Sequence, residues 1–307
     1  AQQHGDLLRA IILTGSLARD EATLVEEKKG WTLLGDAEFF LIFDERAALP
    51  PASDLDTLGR GIKDNLLRRG MRCHVTLSAV HPAYLRKLQP HIFAYELKVS
   101  GQVVWGESQV LSLIPQFLPS DIPLEDAWRL LCNRMIEQLE LADELAGGSK
   151  VLSPNLHYRI VKLFLDMATS FLLFVGAYAP TYRERAEKLK LLADNGPDDA
   201  YPFSLRDFAE RVAACTQFKL TGTGHSSVSA TLGEDGAGLV FWEEAIAYAR
   251  LLWRWELARL TNTKGQVSSC ELCARWMRFQ PLHDRLRGWL YVLRKRGWHR
   301  SWSEWPR

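Results

Sequence analysis

What this 307-residue chain lacks narrows it first. It has five cysteines, an odd number at scattered spacing, which argues against a disulfide framework and for a reducing compartment. The one close pair, Cys270 and Cys273, has no second Cys-x-x-Cys to complete a tetrahedral zinc site, so the pair reads as incidental. No apolar run reaches the roughly 20 residues that a membrane-crossing helix needs. The longest candidate, residues 160–175, is interrupted by Lys162 and Asp166 and reads as a buried helix. No internal repeat is visible and no signal-peptide pattern is recognised, and the expected location is the cytoplasm, with no membrane span. Net charge is also nearly absent, with 38 Lys and Arg against 37 Asp and Glu.

What is present is an ordinary globular composition, 47% hydrophobic and 24% charged, in a chain long enough for two domains with a substantial core. The small net charge of +1 hides an asymmetry. Residues 275–307 carry nine Lys and Arg against Asp284 and Glu304, which leaves the remainder of the chain acidic. In that stretch Trp276, Trp289, Trp298, Trp302 and Trp305 interleave with the cations. Cations among aromatics suit RNA or an anionic surface. They equally suit a terminal segment whose tryptophans pack on an acidic body while its arginines stay wet, and the acidic remainder favours this second reading.

The chemistry-bearing stretch is residues 11–45. An apolar run, Ile11-Ile12-Leu13, breaks at Gly15-Ser16 and is followed by a polar segment. A second apolar run carries Asp36 and Glu38 just ahead of Phe39-Phe40-Leu41-Ile42-Phe43. On a strand, residues two apart point to the same face, so the two carboxylates project side by side. Adjacent carboxylates raise each other's pKa unless a cation sits between them. Mg²⁺ suits such a pair, because it binds through one or two carboxylates, several waters and substrate phosphates. A Gly-Ser turn offers close backbone approach and a hydroxyl, which phosphates need.

The order Leu13, Gly15-Ser16, then Gly35-Asp36-Ala37-Glu38-Phe39 resembles the DNA polymerase β-like nucleotidyltransferase superfamily. The extension Leu17-Ala18-Arg19-Asp20-Glu21 is similar to its small bacterial, aminoglycoside-nucleotidyltransferase-like members, with Asp20 where Gly is usual. The spacer over residues 17–35 is longer than that pattern, which implies a short insertion around residues 26–31. The resemblance implies an α+β fold, with a nucleotidyltransferase-type mixed sheet of about five strands and helices over residues 1–114. An all-helical bundle domain follows over residues 115–307. It implies transfer of a nucleoside monophosphate from an NTP, ATP being the expected one, to a hydroxyl on a small molecule, a protein or a tRNA end. Asp36 and Glu38 would hold Mg²⁺ or Mn²⁺, Gly15 and Ser16 the β- and γ-phosphates, and Arg19 would neutralise charge. The superfamily's third acid falls at His74, which would serve as metal ligand or base, or stand by inactive. Glu96 is the alternative third acid.

Along the chain, the pattern predicts strand over residues 11–15, helix over 16–28, and strand over 32–43. It then gives a helix from an N-cap at Ser53 or Asp54 to Arg69, a strand over 72–80, a short helix over 83–88, and a further element over 91–99 and 102–105, which resembles the helix meeting a short strand at the end of that superfamily's catalytic domain. Past the prolines at 115, 119 and 123 the period turns helical and stays so. Helices are expected over 124–146, 154–176, 181–194, 204–217 and 239–261. Lys162 and Asp166, four apart, share one face of the second of these. They form either an internal ion pair or, as the resemblance implies, a site where Lys162 contacts phosphate. The Gly/Ser/Thr-rich stretch 221–238 reads as a flexible loop, since it lacks the strand and Lys of a phosphate cradle. Two other functions stay in view: a nucleotide-binding pseudoenzyme with a regulatory or scaffold role, and an RNA-binding protein led by the basic tail.

Overall fold

The computed structural model describes residues 7–27, 30–146, 154–195, 201–222 and 237–296. The fold is α+β, as expected: five strands and their helices come first and helices follow. The chain divides into two compact units, Ala1–Ala249 and Arg250–Arg307. The first contains the expected 114/115 boundary within it.

The sheet is built around one long strand, β3 (Gly30–Phe43). Along its second half lies β1 (Leu8–Thr14), antiparallel, with Leu13 opposite Phe39 and Thr14 opposite Glu38. Along its first half lies β2 (Thr23–Glu27), also antiparallel, with Thr23 opposite Leu34. On its other edge β4 (Met71–Val80) runs parallel, with His74 opposite Asp36, and β5 (Gln102–Gly106) pairs antiparallel with β1. The sheet is therefore mixed.

The helix expected over residues 16–28 does not form. α1 is a single turn, Gly15–Ala18, ended by Arg19 and by Asp20 at φ +56°, in the left-handed region. That is the conformation glycine tolerates best and Asp tolerates better than most residues. Beyond the turn, Thr23-Leu24-Val25 is β-prone and finds a ready partner in the first half of β3. The stretch between Ser16 and Asp36 thus contains a β-hairpin. A smaller correction concerns α2 (Ala52–Arg68): it starts before Ser53, with Pro51 at the cap position and no side-chain cap.

Period-two alternation sends the two faces of the sheet to different partners. Ala10, Ile12, Ile42 and Phe40 pack with Leu85 of α3 (Pro82–Arg86) and with Ala94 and Leu97 of α4 (Ile92–Ser100). Leu33, Ala37, Cys73 and Val75 pack instead against Ile62 and Leu66 of α2. Asp36 and Glu38 alternate with buried Ala37, so they leave the sheet on the α4 face.

The helices after residue 114 match the periodic reading closely. They are α5 (Leu124–Ala146), α6 (Pro154–Phe174), α7 (Tyr182–Asn195), α8 (Leu205–Thr221) and α9 (Ala237–Leu260). α6 is buried nearly all round, with Ile160, Leu163, Phe164, Met167 and Phe171 without exposure. Each such side chain contributes roughly 1.5–3 kcal/mol by burial, which makes α6 the axis of the helical part. Two contacts tie these helices to the β1–β2 connection. Glu21 is buried and accepts the amides of Tyr182 (3.1 Å) and Arg183 (3.2 Å), supplying the start of α7 with the acceptor its unpaired N–H groups need. Thr23 Oγ1 donates to the Lys219 carbonyl at 2.8 Å.

In the second unit, α10 (Ser269–Phe279) is capped by Ser268, and α11 (Leu282–Arg296) follows. Cys270 and Cys273 are exposed free thiols on α10. Trp298, Trp302 and Trp305 lie outside the described residues, as does most of the stretch 221–238. Among the described residues no helix is long and apolar enough to cross a membrane.

Candidate functional site

A cleft of about 540 Å³ opens between the α4 face of the sheet and helices α5 to α8. Its sheet side is the Gly-Ser turn with the acid pair. The register that sets Thr14 opposite Glu38 also sets the Glu38 carboxylate against the turn. A Cβ on Gly15 would stand 2.9 Å from Glu38 Oε2, and Gly15 has φ +71°, so the residue must be glycine on both counts. Asp36 is exposed and Glu38 half-buried. The Glu38 carboxyl is pushed above its ordinary range by burial and then by Asp36, against the pull of Lys162 and Arg19.

Opposite this pair, the cleft holds cations that differ in how far they are neutralised. The Arg19 side chain, 5% exposed, is committed: Nε donates to Glu21 at 3.2 Å and Nη1 to Glu96 at 2.6 Å. Glu96 also accepts from Tyr178 Oη at 2.8 Å and pairs with Arg185, a guanidinium only 2% exposed. Glu96 lines the cleft, yet its charge is spent between two arginines. Asp166 pairs with Arg134 at 2.6 Å, so the expected ion pair with Lys162 on the same helix face is not made. Lys162 lines the cleft with no ion pair or hydrogen bond among the described residues.

The residue that sequence reasoning missed is Lys219. Its side chain, at 2% exposure, donates from Nζ to Tyr158 Oη at 2.7 Å and to Ser16 Oγ at 3.4 Å, and among the described residues no carboxylate pairs with it. Burial lowers its pKa to about 7, helped by the nearby charges of Lys162 and Arg19 and opposed by Glu21 and Asp166. Tyr158 is its main partner. That hydroxyl reaches across to the sheet, where a Cβ on Gly35 (φ +111°) would sit 3.1 Å from it. A signal for Lys219 was available. Phe208, Val212, Cys215 and Lys219 recur at four- and three-residue spacing on the buried stripe of α8, so a lysine stood where the pattern required an apolar residue.

Of the residues expected at the site, Gly15, Ser16, Arg19, Asp36, Glu38 and Lys162 all line this one cleft. His74 does not. It stands opposite Asp36 in the β3–β4 register, but it is exposed and lines a separate hollow against Asp56, Gly59, Arg60 and Lys63 of α2. Among the described residues no group of three His, Cys, Asp or Glu side chains is placed to hold a metal ion. The acid pair therefore has two carboxylates and no third side-chain ligand of those types. This donor set suits a hard cation that keeps its waters better than one that prefers imidazole.

No family model matches the chain, and no curated protein matches it.

Proposed function

We propose that the cleft binds a metal–nucleoside triphosphate and that the protein transfers the nucleoside monophosphate to an acceptor hydroxyl. The observation that carries this reading is the charge left over on the two sides of one cleft. Among the described residues the Asp36 and Glu38 carboxylates stand together with no ion-pair partner, and Lys219 and Lys162 line the same cleft with no carboxylate paired to either. A buried ammonium that, among the described residues, meets hydroxyls and tyrosine rings but no carboxylate is costly unless an anion completes it. A polyphosphate carrying a divalent cation satisfies both halves at once.

In this assignment Asp36 and Glu38 would hold the cation through their oxygens, and the cation would supply charge neutralisation to the phosphates. Ser16 Oγ and Lys219 Nζ, within 3.4 Å of each other, take the β- and γ-phosphates from the sheet and helix sides. Lys162 adds the second ammonium. Attack of the acceptor hydroxyl oxygen on the α-phosphorus would break the bond to the β-phosphate, expel pyrophosphate and release the hydroxyl proton to solvent, with the two lysines stabilising the charge that builds on the leaving group. Arg19 acts at one remove: tied to Glu21 and Glu96, it locks the Gly-Ser turn to α4 and α7.

A second reading, nucleotide binding without transfer, draws on the place of His74 outside the cleft and on the engagement of Glu96. Both leave the acceptor hydroxyl without an obvious base. Pyrophosphate release from a panel of NTPs with Mg²⁺ or Mn²⁺ and mixed hydroxyl acceptors separates the two. Acceptor-dependent release is expected. Tight metal-dependent binding with no release under any combination would leave the binder, and no nucleotide binding at all would sink both.

A further inference from the structure

The carboxylates lining the cleft, taken one by one, bear on what the acceptor can be. Asp36 and Glu38 belong to the cation on the reading above. Glu96 is held by Arg19, Arg185 and Tyr178, and Asp166 by Arg134. Asp126 accepts the Ile92 amide at 2.8 Å through Oδ2, so it sits at the N-terminal ends of both α4 and α5, which favour a negative charge there. Outside the Asp36–Glu38 pair, each carboxylate among the described cleft residues already has an intramolecular partner, an arginine for Glu96 and Asp166 and a helix-terminal amide for Asp126.

The unengaged groups at the α4–α5 end are donors. Arg129 and Asn133, one turn apart on α5, line the cleft, and among the described residues they make no hydrogen bond or ion pair. His91 accepts the Ala94 amide at Nδ1 (2.9 Å), which leaves Nε2 as the donor nitrogen of its ring. This donor group is separate from the lysines. Arg134 meets Asp166 and Arg159 meets the Glu137 carbonyl, so α5 and α6 run antiparallel. At 1.5 Å per residue, Arg129 and Lys162 are then displaced to opposite sides of the Arg134–Asp166 level, about 13 Å apart along the axes.

We infer, resting on the nucleotidyl-transfer reading, that the acceptor is a small hydroxyl compound bearing an anionic group, a phosphate ester or a carboxylate, which Arg129 and Asn133 grip. It is not a polyamino sugar. A guanidinium forks onto two oxygens of such a group, and Asn133 adds a neutral donor.

The test uses the full chain loaded with Mg²⁺ and a non-hydrolysable NTP analogue, whose own binding is titrated first. Glucose 6-phosphate, glucose and the polyamino sugar kanamycin are then titrated in turn by calorimetry. The phosphate ester should bind roughly ten- to a hundred-fold more tightly than glucose, and kanamycin no better than glucose. Arg129→Gln should erase most of that preference, and Arg129→Glu should reverse it toward kanamycin, both with unchanged nucleotide binding. Kanamycin binding more tightly than the phosphate ester, or a preference untouched in Arg129→Gln, would overturn the inference while leaving the nucleotide site standing. Absence of nucleotide binding in the first titration would overturn the underlying reading and this inference with it.

Discussion

Replacing Lys219 with methionine should make the protein more stable and a poorer nucleotide binder. Methionine keeps the length and apolar body of the side chain in a space that is 2% exposed, so little packing is lost. What disappears is an ammonium whose pKa is lowered from 10.5 to about 7. At roughly 1.36 kcal/mol per pKa unit, folding with that group charged costs a few kcal/mol below pH 7. The sign follows from proton counts. Between about pH 7 and 10.5 the unfolded chain holds a proton on Lys219 that the folded chain has released, so wild-type stability rises with pH across that window. The advantage of the variant should therefore be largest below pH 7 and fade toward pH 10. Against it stand the Tyr158 and Ser16 hydroxyls, which lose a partner at about 1 kcal/mol each. A net gain of about 1–3 kcal/mol at pH 6.5 remains after that loss. Nucleotide binding should move the other way. A charge-assisted hydrogen bond to phosphate is worth about 1.5–3 kcal/mol, so Kd should rise about ten- to a hundred-fold. Urea unfolding at pH 6.5 and 9.5, with calorimetric NTP titration, reads both quantities. A variant that is destabilised at both pH values and binds NTP as wild type does would refute the reasoning.

Two further predictions concern the frame of the site. Glu96→Gln leaves Arg185 and Arg19 short of their shared carboxylate in a buried network and should cost about 3–5 kcal/mol of stability, read by urea unfolding; a loss below about 1 kcal/mol would mean that the network is dispensable. Asp20→Gly relieves a left-handed non-glycine residue at φ +56° and should be neutral to stabilising by up to about 1 kcal/mol, whereas Asp20→Val should destabilise; equal melting temperatures for the two variants would contradict the assignment of strain.

Much of this architecture was legible because it rests on periodicity. The all-round apolar body of α6 announced its burial, and the alternation in β3 placed Asp36 and Glu38 on one face beside the Gly-Ser turn. Local propensity failed where tertiary pairing overrode it. Residues 16–28 have a helix-compatible composition, but the first half of β3 offered Thr23–Glu27 a ladder, and Asp20 could adopt the backbone that turns the chain into it. Side-chain partnerships were the least visible. Spacing on α6 put Lys162 and Asp166 together, yet Arg134 from α5 claimed the carboxylate. His74 has the right register beside Asp36, but a register does not say which hollow an edge side chain enters. Lys219 is distant in sequence from Ser16 and reaches it only because Glu21 and Thr23 dock onto α7 and α8.

The central claim is that one cleft joins a cation on Asp36 and Glu38 to a polyphosphate on Ser16, Lys162 and Lys219. The most direct measurement is calorimetric titration of ATP, with and without Mg²⁺, into wild type and into the Asp36→Asn, Glu38→Gln double variant. The account predicts that Mg²⁺ tightens ATP binding at least tenfold in the wild type, and that this enhancement falls away as pH drops through the raised Glu38 pKa. It also predicts that the double variant keeps its fold and loses the metal enhancement. Identical metal-dependent affinities in the two proteins would contradict it.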